Sequence, residues 1–271
     1  MKTALKLLIV QNNAIIANRE ANFKNVLKLL EPFEGSNPDL IILPELWNVG
    51  WYCKAYPEVA EDSDTSETIN FLRELAVSFN SNVLGGSYVR RDSKTELRNT
   101  CPVINRQGSL IASYDKMHLY THLGADESKY ATVGANPIIA KTDVANIGLS
   151  ICYDIRFPEL FRKYTFGGAD ILVNMAAWPK SRKNHWVTLQ KARAIENQSF
   201  MIAVSQTGKI TDNEYNLGHS MVINPYGETV ASLQEEEAVL SCEIDLEEMQ
   251  KLRTKIPTLL DVQEKYKFLE E

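Results

Sequence analysis

The sequence predicts an α/β protein, a four-layer α-β-β-α sandwich in which two sheets pack face to face under an outer layer of helices on each side. Three observations predict it. Short apolar bursts of strand length, at residues 6–11, 39–45, 146–153, 170–175 and 200–206, recur between segments of helical period. The succession β-α-β-α followed by several strands runs twice, once in each half of the chain. No Pro/Gly/Ser-rich linker separates the halves, so residues 1–271 read as a single domain, with a helix and tail from about residue 246.

Taken in order, residues 6–11 read as a strand and 18–30 as a helix whose apolar positions Phe23, Val26, Leu27 and Leu30 fall at helical spacing. The burst at 39–45 is of strand type and ends in Pro44 and Glu45. Residues 47–63, with Trp51, Tyr52, Tyr56 and Pro57, read as an aromatic loop. An amphipathic helix is expected over 66–79 with Ser66 as N-cap. Strands follow at 83–90, 99–105 and 110–114, the last two joined by a turn at Gln107-Gly108. In the second half come a strand at 146–153, a helix at 158–165 opened by Pro158, a strand at 170–175, a helix at 184–198 and a strand at 200–206. A hairpin of 220–224 with 229–233 turns at Pro225-Tyr226-Gly227, one more strand is expected at 238–243, and the charged segment 246–271 wraps outward.

Composition bounds the function. A chain of 271 residues with 44% hydrophobic and 24% charged residues is ordinary for a soluble globular protein with a large core. The net charge of −6 argues against nucleic acid or an anionic membrane as main partner, and no apolar run reaches the length of a membrane span. The apolar run within residues 1–10 is short, lacks a small-residue cleavage site and fits a buried first strand better than a signal peptide. Four cysteines with no CxxC and no regular spacing suggest neither a disulfide framework nor a zinc site, so a cytoplasmic location with reduced thiols is expected.

Among the cysteines, Cys101 and Cys242 lie inside expected strands and read as small buried hydrophobes. Cys53, in the aromatic loop, is within reach of solvent but has no activating base beside it in sequence. Cys152 stands at the end of the strand carrying Ile147, Leu149 and Ile151, just before the turn into the Pro158 helix, where α/β proteins place their chemistry. A thiol is mostly protonated at neutral pH, so a nucleophilic cysteine needs a base or a cationic neighbour. None of His118, His122, His185 and His219 sits with a cysteine in a recognised local arrangement. His118 and His122 have i,i+4 spacing but lack HExxH and a third ligand, so no metal is expected. There is no GxSxG, phosphate loop or GxGxxG. Glu45 and Lys116 each follow a strand, at edges that match that of Cys152. Either alone reads ordinarily as a solvated rim residue; the three together are harder to dismiss.

Pro44-Glu45-Leu46, Tyr114-Asp115-Lys116-Met117-His118-Leu119 and Cys152-Tyr153-Asp154-Ile155-Arg156-Phe157-Pro158-Glu159-Leu160 resemble the three signature blocks of the nitrilase superfamily, the carbon–nitrogen hydrolases. Leu172 through Pro179, Gly218-His219-Ser220 and Asn224 through Gly227 agree with the same family, and the match runs from about Leu8 to Pro257. The resemblance implies the α-β-β-α sandwich, a Glu-Lys-Cys triad on Glu45, Lys116 and Cys152, and a second, positioning glutamate on Glu127. It implies that Glu45 takes the thiol proton, that Lys116 and the N–H of Tyr153 stabilise the oxyanion, and that ammonia leaves before water hydrolyses a thioester. No cofactor is implied, because the triad supplies nucleophile, base and electrostatic stabiliser. Family members commonly form dimers, so a homodimer is expected.

The block around Cys152, the compact chain and Trp178-Pro179 look like the ω-amidase branch, acting on ω-amides of dicarboxylic or 2-oxo dicarboxylic acids. Arg156 is then a ligand for the substrate carboxylate, or else an ion-pair partner of Asp154. Tyr153 belongs to the substrate site, and Tyr52 and Trp178 are candidates to wall it, or aromatic core. An N-carbamoyl or acyl amino acid amidohydrolase, a nitrilase and an inactive interaction scaffold are the competing readings.

Overall fold

A computed structural model describes residues 3–122, 125–210 and 214–263. Strand-forming segments collect into two main sheets. The first runs in the order Ala238–Asp245, Ala4–Gln11, Leu40–Ile42, Asn82–Leu84, Leu97–Ile104, Tyr88–Arg91 and Glu61–Asp62, with Leu110–Asp115 also paired to Leu97–Ile104. The second runs Thr229–Ser232, Met221–Ile223, Phe200–Ser205, Ile171–Ala176, Asn146–Ile151 and Ile139–Lys141. A small hairpin pairs Thr207–Lys209 with Tyr215–Leu217.

The layering follows from the period-2 alternation of strands that are apolar on both faces. Leu5, Leu7 and Ile9 enter one cluster with Ile147, Leu149, Ile151, Val173 and Ile202 of the other sheet, so the two sheets meet there. The intervening Leu8 and Val10 point outward, onto Val26 and Leu30 of the helix Arg19–Leu30 and Leu72 and Leu75 of the helix Glu67–Ser78. In the second sheet Leu172, Met201 and Ala203 face Phe161 and Tyr164 of Pro158–Phe166 and Trp186 of Lys183–Asn197. Each such buried side chain contributes about 1.5–3 kcal/mol, which makes a one-residue slip in any central strand prohibitive. The expected four-layer sandwich is what these contacts build.

The helices lie within a residue or two of their expected places, and Ser66 caps its helix by accepting from the N–H of Ile69 at 3.0 Å. Four local expectations need correction. Residues 47–63 are not a plain loop: they contain the turn Cys53–Ala55, the short helix Tyr56–Val59 and the strand Glu61–Asp62. Their apolar side chains are buried with Leu46, Val89 and Leu119, which also takes Cys53 out of solvent reach. The single strand expected at 83–90 is two, broken by Gly85-Gly86-Ser87. Gly86 has φ +62°, and a Cβ there would stand 2.0 Å from the carbonyl oxygen of Pro44. Leu27 is half exposed, because the helix turns its Val26 and Leu30 stripe inward.

Finally, the strand at the end of the second half does not stay with that half. Ala238–Asp245 pairs antiparallel with Ala4–Gln11 along its whole length and closes the first sheet. The helix Leu246–Lys255 follows, while residues 264–271 of the expected tail lie outside the described residues. Among the described residues no helix is long and apolar enough to cross a membrane.

Candidate active site

Four strand ends converge on one place. Glu45 follows Leu40–Ile42, Lys116 follows Leu110–Asp115, Cys152 follows Asn146–Ile151 and Ala177 follows Ile171–Ala176. Three of these strands belong to parallel pairings, Leu40–Ile42 in the first sheet and Asn146–Ile151 with Ile171–Ala176 in the second, and chemistry sits at the carboxyl ends of such strands.

The turn that carries Glu45 is held from behind. Leu46 takes a left-handed φ of +47°, and its N–H donates to Ser87 Oγ at 3.0 Å. Gln206 Nε2 donates to the backbone carbonyl of Glu45 at 2.6 Å. Lys116 is backed by Gly134, whose N–H donates to the Lys116 carbonyl at 2.8 Å and where a Cβ would lie 2.0 Å from the carbonyl oxygen of Asp115. Cys152 also has a left-handed φ, +48°, a strained state for a residue with a Cβ and one that recurs at functional positions. It opens the short helical turn Cys152–Arg156, so the N–H of Tyr153 lies in a first turn, where no intrahelical acceptor exists.

The charged groups form one buried cluster. Lys116 Nζ is 2.8 Å from Glu45 Oε1 and 2.9 Å from Glu127 Oε2, and none of the three side chains is exposed. Glu45 Oε2 accepts the N–H of Ala177 at 2.9 Å. Glu127 also accepts from Tyr56 OH at 3.0 Å and from the N–H of Tyr120 at 3.0 Å. Asn99 Nδ2 donates to both carboxylates, at 2.9 Å to Glu45 and 3.1 Å to Glu127.

Burial raises the pKa of Glu45; the charge of Lys116 opposes this and that of Glu127 adds to it. Burial also acts to raise Glu127, but the Lys116 charge and its hydrogen bonds outweigh it and hold that carboxyl below the ordinary range. Burial alone would depress Lys116, yet Glu127 and Glu45 keep it well above the usual lysine value. Burial, then the charge of Glu45, push the Cys152 thiol well up, and the Glu45 carboxylate accepts its hydrogen bond. Burial thus favours the neutral thiol and makes Glu45 a stronger base than an ordinary glutamate, while Lys116 stays charged. That set can deprotonate a thiol during attack and stabilise a developing oxyanion.

A cavity opens at Cys152. Its walls include Tyr153, Arg156, Trp178 and Arg182, together with Trp51 and Tyr120. The Arg156 guanidinium lies 5.1 Å above the Trp178 ring and 5.7 Å from that of Tyr153. Asp154 is engaged elsewhere, so Arg156 faces the cavity rather than an ion pair with its neighbour. Arg182 lies 5.3 Å from the Tyr120 ring and donates to Tyr120 OH at 2.8 Å. The structure thus brings together Glu45, Lys116, Glu127, Cys152, Tyr153, Arg156 and Trp178.

It does not bring in Tyr52, which is 45% exposed and off the cavity wall; Trp51 takes that place. Tyr52 is extended, where adjacent side chains face opposite ways, so Trp51 meets the cavity and Tyr52 turns away from it. Arg182, Asn99 and Tyr120 were missed, because no local pattern marks them. His118 is bound to Asp154, and among the described residues no cluster of ligands fit for a metal ion occurs.

Comparison with known proteins places the chain in a family. Residues 7–254 match the family model described as carbon-nitrogen hydrolase. The chain is 37% identical over 230 residues to a 2-oxoglutaramate amidase of Bacillus subtilis, covering 84% of this chain and 86% of that one. It is 33% identical over 258 residues to a chloroplastic omega-amidase of Arabidopsis thaliana, covering 90% and 69%. Among solved structures, Nit3 of Saccharomyces cerevisiae, described as a member of branch 10 of the nitrilase superfamily, superposes with a TM-score of 0.88 at 28% identity, covering 97% of each chain.

Proposed function

The chain belongs to the carbon–nitrogen hydrolase family, and from that premise we propose that it is an ω-amidase. In this reading one catalytic domain releases ammonia from the ω-amide of a small dicarboxylic or 2-oxo dicarboxylic acid. The observation that carries it is the pair of guanidiniums, Arg156 and Arg182, on the wall of the cavity that opens at Cys152. A cavity with a nucleophile at one place and two arginines at another suits an amide whose far end is a carboxylate. The names of the relatives support the same substrate class.

The reaction runs in two halves. Glu45 takes the proton of the Cys152 thiol as sulfur attacks the amide carbon, and the carbonyl oxygen becomes an oxyanion facing Lys116 and the N–H of Tyr153. Glu45 returns the proton to the amide nitrogen, the C–N bond breaks, and ammonia leaves a thioester. Water, deprotonated by Glu45, then attacks the thioester carbon, and the thiolate leaves and recovers the proton. Glu127 holds Lys116 in place throughout. Tyr153 and Trp178 shape the wall against which Arg156 lies.

The same chemistry would serve an N-carbamoyl or acyl amino acid amidohydrolase or a nitrilase. An inactive scaffold would have no use for three buried charged groups, which are costly to desolvate. All four cysteines are free, which supports the reducing cytoplasm as the working compartment. The homodimer is proposed on family resemblance. The test is ammonia release from 2-oxoglutaramate, succinamate, a carbamoyl amino acid and a nitrile, with the mass of trapped acyl-enzyme read in parallel. Preference for the two ω-amides and an adduct on Cys152 are expected. A preference for the carbamoyl amino acid or the nitrile, or no turnover of any, overturns the reading.

A further inference from the structure

Asn99 donates to both carboxylates of the buried cluster without carrying a charge. Its single Nδ2 lies 2.9 Å from Glu45 Oε1 and 3.1 Å from Glu127 Oε1. Its backbone carbonyl accepts the N–H of Lys116 at 2.9 Å, which ties the lysine to the same strand, Leu97–Ile104. The residue is 1% exposed, and its Oδ1 is buried with no hydrogen-bond partner.

The orientation of the amide is forced. Turning it over would place Oδ1 against two carboxylate oxygens and lose both hydrogen bonds. Held this way, the amide leaves its own oxygen orphaned, a cost that an apolar residue of the same size would avoid. The compensation must lie on the nitrogen side. There, two carboxyl groups face one ammonium, so when both are ionised, as the base role of Glu45 requires, the cluster holds one negative charge more than Lys116 can neutralise. A second cation would complete the neutralisation but would also weaken Glu45 as a base. A neutral donor shared between both carboxylates lowers the proton affinity of Glu45 less than a cation would.

We propose that Asn99 is a positioning residue for the hydrolysis. It clamps Glu45 and Glu127 around Lys116 and keeps the Glu45 carboxylate ionised and aimed at the thiol of Cys152. The inference rests on the reading of Glu45 as the general base. The charged and titratable groups that face Glu45 are Lys116, Glu127 and Cys152, with Tyr56 behind Glu127. Loss of the Asn99 donor leaves the two carboxylates to repel each other, and the proton affinity of Glu45 rises.

The test is the pH profile of kcat/KM for Asn99→Leu, with Asn99→Ala as a second variant should leucine prevent folding; cooperative thermal unfolding certifies each. The expected result is an acid limb moved upward by about one pH unit, with a fall of about tenfold below that limb, KM little changed, and recovery toward high pH. A folded variant whose limb stays in place, whether its rate is unchanged or lowered equally at every pH, overturns the inference. Glu45→Gln is measured alongside. If it retains turnover, the base assignment fails on its own account, separately from the role of Asn99.

Discussion

Asp154 Oδ1 accepts the backbone N–H of His118 at 3.0 Å and lies 2.7 Å from Nδ1 of the same histidine. Its other oxygen accepts from the N–H of Ile151 at 2.9 Å and from Tyr114 OH at 2.6 Å. One buried carboxylate therefore joins the segment that follows Lys116 to the turn that presents Cys152. Asp154→Ala would orphan these donors, at about 1–3 kcal/mol each. A destabilisation of about 3–5 kcal/mol by urea unfolding is expected, with turnover lost in protein that remains folded. A loss below about 1 kcal/mol would show that the donors find other partners.

Cys152→Ala should abolish turnover and acyl-enzyme formation. The left-handed φ of Cys152 adds a second expectation. Cys152→Gly, equally inactive, should unfold at a temperature no lower than Cys152→Ala, because glycine adopts that φ without strain while alanine loses about 1 kcal/mol. A clearly less stable glycine variant would contradict the strain.

With Glu45 as the proposed base, the acid limb of kcat/KM should follow its ionisation. Burial raises its pKa, so activity should rise with pH through a limb above the ordinary glutamate value of 4.5. The charge of Glu127 contributes to that raise. Glu127→Gln removes a negative neighbour, favours the ionised form of Glu45 and should move the limb to lower pH, with kcat reduced because Lys116 loses a partner. A limb that moves upward would reverse the assigned coupling.

Lys116→Met removes the cation between two buried carboxylates. About 3–5 kcal/mol of stability should be lost near neutral pH, the range found when one partner of a buried charged set is removed. Glu127 is held below the ordinary carboxyl range largely by Lys116. A group with a depressed folded pKa contributes stability above its unfolded value and loses it as pH falls through the folded one. Glu45, whose folded value is raised, contributes in the opposite sense: below its unfolded value, lost as pH rises through the folded one. Urea titrations between pH 4 and 8 should show the deficit of Lys116→Met shrinking toward acid as both carboxyls take up protons. A deficit that is constant across pH would argue against an electrostatic origin.

Arg156→Leu and Arg182→Leu should each raise KM for an acidic ω-amide by about ten- to a hundredfold, the worth of a charge-assisted hydrogen bond of about 1.5–3 kcal/mol. A neutral amide should feel much less. Tyr52→Ala, at an exposed position off the cavity wall, should leave KM unchanged, whereas Trp51→Ala should raise it. Equal effects of Arg182→Leu on acidic and neutral amides would remove that arginine from substrate recognition.

Much of this was legible in the chain. Alternation at Leu5, Leu7 and Ile9, the Ser66 cap and the Pro158 helix start are local signals, and local signals are what periodicity and capping report. The strand ends carrying Glu45 and Cys152 follow from the same reading, because the covered strands before them have an apolar run and a definite end. The position of Ala238–Asp245 beside Ala4–Gln11 was not legible, because pairing partners so distant along the chain leave no trace in either segment. The buried state of 47–63 escaped for a related reason: its aromatics are core only because Leu46, Val89 and Leu119 arrive from elsewhere.

The site divides along the same line. The candidate nucleophile, base, lysine and second glutamate were legible through the resemblance of the motif blocks to the family, since each proposed role admits few residue types. Their protonation states were not, because these depend on burial and on distances near 3 Å between residues as far apart as Glu45 and Lys116. Nor were the cavity wall and the neutral clamp at Asn99. A wall residue is defined by which way a side chain faces, and a clamp by what else has been packed around it; both are properties of the folded neighbourhood, and the linear chain records neither.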